Sequence, residues 1–164
     1  MKPNLYLETT IPSYLKSKQT RDIIQTARQQ ITIEWWENRL IDFDIYISQI
    51  VVDEVSEGDP IASAKRLESI KEFTLLEITE EVIDLADKIM VEKIIPKKAI
   101  RDGVHIAVAA YHKMDFLLSW NCKHIANAEI IKRLKRVIGD AGYELPIICT
   151  PEELLERSES WKTN

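Results

Sequence analysis

Residues 104 to 118 constrain the fold more tightly than any other stretch. From Val104 to Tyr111 the side chains are apolar or small on every side apart from His105, the pattern of a helix packed all round rather than half exposed. Behind Asp115, the unbroken run Phe116, Leu117, Leu118 reads as an inner strand of a parallel sheet with both faces covered. Polar groups flank this pair of elements. Asp102 opens the helix, while Ser119 and Asn121 follow the strand at its carboxyl end, where open α/β sheets bind their ligands. By themselves an Asp at a helix start and an Asn in a turn are equally ordinary capping and turn residues.

The rest of the chain alternates in the same way. Residues 4 to 7 read as a strand ending at Glu8, and Thr9 or Thr10 can cap a helix entered through Pro12. Ile23, Ile24, Ala27, Ile31, Trp35 and Leu40 recur at helical spacing, so 22–40 is expected to be a long amphipathic helix with one of Trp35 and Trp36 in the core. Asp44 to Ile47 is a second strand closed by Ser48, and 49–57 a helix stopped by Gly58, Asp59 and Pro60. Glu54 and Asp53 lie side by side on that helix, about 100° apart, so only one of them can face the crevice. A helix over 61–72 and a strand over 73–78 follow. Thr79, with Glu80 and Glu81 behind it, opens a helix broken at Pro96, and Lys97 and Lys98 sit in the break. A basic helix over 127–138 stops at Gly139, 147–149 is a final strand, and a closing helix over Pro151 to Glu156 starts at Thr150. This order predicts an α/β fold: a three-layer α/β/α arrangement around a parallel sheet of about five strands with right-handed crossovers.

Length and composition narrow the function. A chain of 164 residues with 45% hydrophobic and 30% charged residues fits a single domain over 1–164 with a substantial core. No apolar run approaches a membrane span, and the first residues lack a secretory pattern, so a cytoplasmic protein is expected. Cys122 and Cys149 are too few for a disulfide framework and are expected to be free thiols, with a single bridge between them as the alternative. A net charge of −5 argues against a general nucleic-acid coat but leaves room for a local basic rim around an acidic site. Neither GxGxxG nor GxxxxGK occurs, which removes most support for nucleotide-cofactor chemistry, and no GxSxG elbow is present. His105, His112 and His124 lack the spacing of a helical zinc site, and His105 reads as a core histidine.

Hard oxygen donors remain. Glu8, Glu54 and Asp102, with Asn121 as a neutral oxygen, suit Mg²⁺ or Mn²⁺, and a divalent cation would relieve the repulsion among them. Such an ion can activate water against a phosphodiester and neutralise the charge that develops.

At these residues the sequence resembles the PIN-domain family, most closely its VapC-type toxin branch, over nearly the whole chain. YLETTIPSYL is similar to the family's opening strand and acidic position, with Glu8 where Asp is usual, and SQIVVDEV matches the second strand and helix, giving Glu54. RDGVHIAVAA is similar to the D-A-x-H-I-A helix, giving Asp102, with Gly103 in place of Ala. SWN corresponds to the Thr/Ser-x-Asp segment, placing Ser119 and Asn121 on site positions, with Asn where Asp is usual. The resemblance implies a metal-dependent ribonuclease acting on RNA. Its site would be Glu8, Glu54, Asp102 and Asn121, supported by Thr9 and Ser119, and the cationic Lys97 and Lys98, which their place just before Asp102 sets beside the crevice, are expected to contact the RNA. It also implies homodimerisation and a small antitoxin that blocks the site. The loss of one negative charge at Asn121 raises a competing expectation, a PIN-fold RNA- or protein-binding module with weakened catalysis.

Overall fold

The structure, a computed structural model, describes residues 1–156; the end of the expected domain, 157–164, lies outside the described residues. Its elements run β1 (Asn4–Leu7), α1 (Thr10–Leu15), α2 (Ile23–Arg39), β2 (Asp44–Ser48), α3 (Gln49–Val55), α4 (Pro60–Ile70), β3 (Thr74–Leu76), α5 (Glu80–Val91), α6 (Ile100–Tyr111), β4 (Phe116–Leu118), α7 (Ala128–Asp140) and β5 (Ile147–Cys149). Short 3₁₀ turns occupy Leu40–Asp42, Lys97–Ala99 and Pro151–Leu154. All neighbouring strands pair in parallel, in the order β3-β2-β1-β4-β5. The chain leaves β1 toward β2 and β3, then crosses back to β4 and β5. Right-handed crossovers therefore put α1 to α4 on one face and α5 to α7 on the other. The direction reverses between β1 and β4, and that is where a crevice opens at the carboxyl edge.

The innermost strands are apolar because both of their faces are covered. Leu5, Tyr6 and Leu7 of β1 and Leu117 and Leu118 of β4 have no exposed surface. Each large side chain so buried contributes about 1.5–3 kcal/mol. The run from Gly103 to Ala110 on α6 is buried without interruption, close to the Val104 to Tyr111 expected, with Tyr111 only partly buried, and α6 packs lengthwise on α5.

Several boundaries differ from the sequence reading for identifiable reasons. Ile23 and Ile24, at the first turn of α2, are 84% and 66% exposed, and the helix instead buries Gln29, Thr32 and Trp35. The two polar residues are satisfied: Gln29 Nε2 donates to the Ser17 carbonyl at 2.7 Å, and Thr32 Oγ1 accepts the Trp120 indole N–H at 2.8 Å. Trp35 is the core tryptophan, and Trp36 is half-buried against Phe73. The helix begun at Thr79 ends at Val91, well before Pro96, with Lys93 turned to φ 53°. The basic helix runs past Gly139 to Asp140, and the closing segment is a 3₁₀ turn held by a capping box between Thr150 and Glu153. Both cysteines are free thiols.

Gly103 has a local explanation. A Cβ placed there would stand 3.0 Å from Met90 Sδ, so the close approach of α5 to α6 uses the missing side chain. Gly103→Ala should gain little by itself, because Met90 must move aside. In a Met90→Val background the same change should stabilise by about 1 kcal/mol, the helix-propensity difference. Denaturant melts of the four proteins measure this coupling. Equal effects in both backgrounds would remove Met90 as the reason for the glycine.

Candidate active site

The carboxyl ends of β1 and β4 are joined through a buried carboxylate. Glu8 follows β1 directly and is only 3% exposed. Its Oε2 accepts the Thr10 backbone N–H at 3.1 Å, the Thr10 hydroxyl, and the Ser119 hydroxyl at 2.8 Å. Thr10 Oγ1 in turn accepts the Trp120 N–H at 2.8 Å, and Ser119 Oγ accepts the Asn121 N–H at 2.9 Å. The other carboxylate oxygen of Glu8 has no hydrogen-bond partner among the described residues.

Glu54 reaches the same region from α3. It is half-buried, whereas Asp53 is exposed and takes a hydrogen bond from Gln49 Nε2 at 2.8 Å, which decides which of the neighbouring acids faces inward. Glu54 Oε1 accepts the Thr9 hydroxyl at 2.8 Å and His105 Nε2–H, while Oε2 is left without a partner among the described residues. Thr9 therefore does not cap α1 with its side chain, because its hydroxyl is used on Glu54.

Asp102 is the third residue of α6, a helix entered from Ala99 without a side-chain cap, so capping does not explain it. It is half-buried. The Asn121 amide approaches it closely enough to favour its ionised form, and the Asn121 Oδ1 accepts the His124 N–H at 2.9 Å. Lys97 and Lys98 are exposed on the 3₁₀ turn leading into α6, with no ion-pair partner among the described residues.

The expected residues thus meet in pairs: Glu8 with Ser119, Glu54 with Thr9, Asp102 with Asn121. The sequence pattern does not single out Tyr6 or Ser48, treats Thr10 as a cap, and assigns His105 to the core. His105 is indeed fully buried, but its Nε2 is spent on Glu54. Spacing could have found two of these, since Tyr6 shares a strand face with Glu8 two residues on and His105 lies one helical turn from Asp102.

Burial pushes the Glu8 carboxyl above its ordinary range, against the pull of its hydroxyl and N–H donors. Burial also raises Asp102, with Glu54 adding to the effect and the Asn121 amide opposing it. For Glu54 the desolvation is outweighed by hydrogen bonds from His105 and Thr9, and its carboxyl is lowered. A buried carboxylate with one oxygen uncommitted, beside two others, has the donor chemistry of a hard divalent cation site. Among the described residues no three acidic, histidine or cysteine side chains are gathered closely enough to enclose an ion as they stand.

The fold is shared with a chain of the crystal structure of VapBC2 from Rickettsia felis bound to a DNA fragment from its promoter. The match has a TM-score of 0.53 at 16% identity and covers 89% of this chain and 97% of that one. No protein-family model matches the sequence, and no curated protein does. No helix among the described residues is long and apolar enough to cross a membrane.

A carboxyl raised on folding opposes stability as pH climbs from the ordinary carboxylate range through its raised value, and restores it below. Glu8→Gln should therefore raise the melting temperature of the chelator-treated protein at neutral pH, on the scale of about 2–4 °C per kcal/mol relieved. The gain should shrink as pH falls into the carboxylate range. Melts of both proteins across pH measure it. A Gln variant that is less stable by the same amount at every pH would show that Glu8 carries no such strain.

Proposed function

We propose that this chain is a metal-dependent endoribonuclease that hydrolyses RNA phosphodiester bonds and serves as the toxin of a toxin–antitoxin pair. The observation that carries the reading is the presentation of Glu8 and Glu54 at the carboxyl edge of the sheet, each with one oxygen held by donors and the other free, beside Asp102. The ordered segments resembling the VapC-type PIN branch support it, as does the fold shared with a chain of VapBC2. With this reading go a homodimer, a small antitoxin that blocks the site, and a cytoplasmic setting.

Glu8, Glu54 and Asp102 would hold Mg²⁺ or Mn²⁺, which when bound activates water and neutralises charge on the phosphodiester. The chain's own part is positional. Thr10 and Ser119 fix Glu8, and Thr9 and His105 fix Glu54, so that each offers a single oxygen. Single-oxygen ligands suit the small octahedral ions better than Ca²⁺, which takes more and often bidentate oxygens. Lys97 and Lys98 would contact RNA phosphates from the turn before α6.

The second reading, an RNA- or protein-binding module with weakened catalysis, draws on the absence of a closed three-acid cage among the described residues and on Asn121. Metal-titrated cleavage of mixed RNAs separates the two. Asp102→Asn should abolish cleavage while leaving the melting temperature within a few degrees, Mg²⁺ or Mn²⁺ should be required, and Ca²⁺ should substitute poorly. Cleavage that persists in excess chelator, or in the Asn variant, would sink the nuclease mechanism drawn here.

Asn121→Asp gives a second check. It replaces an amide beside Asp102 with a like charge, so the metal-free protein should lose stability at neutral pH. A unit charge about 4 Å from a cation is worth roughly 1 kcal/mol at water's dielectric and several times that in a drier crevice, so calorimetry should show tighter Mn²⁺ binding. Unchanged or weaker Mn²⁺ affinity would mean that this position does not face the cation.

A further inference from the structure

Beneath the site lies a set of polar side chains that the nuclease reading leaves unexplained. Ser48, Tyr6 and His105 are all fully buried. Tyr6 Oη stands 2.7 Å from Ser48 Oγ and 2.7 Å from His105 Nδ1, and His105 Nε2 meets Glu54 Oε1. Each of the three lies on, or directly before, an element that delivers a carboxylate. Tyr6 is on β1 two residues before Glu8, Ser48 is the residue from which α3 and Glu54 start, and His105 is one turn beyond Asp102 on α6.

Counting hydrogens fixes the direction of this chain. Ser48 does not cap α3 and has no hydrogen-bond partner among the described residues except Tyr6. If Tyr6 donated to Ser48, the serine hydrogen would be buried without an acceptor, a cost of about 1–3 kcal/mol. The serine hydrogen therefore goes to Tyr6 Oη. The tyrosine hydrogen, which burial holds firmly on the phenol, then goes to His105 Nδ1. The imidazole must present a lone pair there and carry its hydrogen on Nε2, pointed at Glu54. With the Thr9 hydroxyl arriving on the same oxygen, every donor in the set leads to Glu54 Oε1.

We propose that Ser48, Tyr6 and His105 form a one-way hydrogen-bond chain that ties together the three carboxylate-bearing elements, with His105 as the positioning residue that turns the free oxygen of Glu54 toward the crevice. The functional consequence rests on the cation site proposed above, whereas the direction of the chain does not. A residue behind a metal ligand typically changes affinity 10- to 100-fold when removed. Gln at position 105 can still offer an N–H near the place of Nε2, and Leu cannot.

Two measurements on the full chain test this. Long-range ¹H–¹⁵N NMR of the imidazoles should show His105 with its hydrogen on Nε2 and none on Nδ1, and Tyr6→Phe should keep the hydrogen on Nε2, where Glu54 holds it, while shifting the Nδ1 resonance as that nitrogen loses its hydrogen bond. Calorimetry with Mn²⁺ should show His105→Leu weakened by at least tenfold, His105→Gln within several-fold of the parent, and Tyr6→Phe between them. Melts establish that each variant is folded, and if His105→Leu is not, the Gln and Phe variants carry the comparison. A hydrogen on Nδ1 in the parent overturns the chain. Leu and Gln variants that both bind Mn²⁺ like the parent, or a Gln variant as weak as Leu, overturn the positioning role. A parent that binds no Mn²⁺ overturns the cation reading, and the tautomer then decides the chain alone.

Discussion

Placing the Glu8 carboxylate almost out of reach of water, at the end of the innermost strand, is the constraint on which the surrounding structure depends. An isolated charge in that position costs several kcal/mol unless donors replace the lost water. The donors must come from other elements. Ser119 supplies one only because β4 runs beside β1 and ends level with it, and Thr10 supplies two only because α1 turns in immediately after Glu8. The strand order and the tight strand-to-helix turn are thus tied to one buried charge as much as to the apolar core. The donors satisfy one oxygen and leave the carboxyl still raised, so the site retains a deficit of positive charge.

Glu54 shows the opposite balance. It is less buried, accepts two strong donors on one oxygen, and its carboxyl is lowered. Two glutamates a short distance apart in the fold therefore differ in proton affinity because of the groups behind them rather than because of their own chemistry. Asp102 resembles Glu8 in being raised, yet it is held from the side by the Asn121 amide. An amide both neutralises less and directs more than a carboxylate would at that position.

Much of this was legible in the sequence where apolar pattern and burial coincide. The run from Val104 to Tyr111, the three residues of β4 and the alternation of strands with helices follow directly from two-sided burial, and they imply the sheet. Helical geometry showed only that one of Asp53 and Glu54 can face the crevice, and the resemblance of SQIVVDEV is what pointed to Glu54. What periodicity could not show was burial achieved through hydrogen bonds. Gln29 and Thr32 take the inner face of α2 while Ile23 and Ile24 remain outside, because their partners Ser17 and Trp120 lie far away in sequence or in a loop. His105 was missed differently: its apolar neighbours mark it as buried, and its place one turn from Asp102 points to the site, but the partners that define its role come from β1 and α3, far off in sequence.

The outermost strands, β3 and β5, are three residues each, and Leu75 and Ile147 on them are largely exposed. A strand so short offers an incoming chain only a couple of backbone hydrogen bonds before the ladder runs out. Growth of the sheet by edge-to-edge addition, whether by a second copy or by an extended peptide, therefore has little to build on. The helices and loops are left to carry most of the surface that side chains can present, and the same shortness makes an apolar sheet a poor template for fibres.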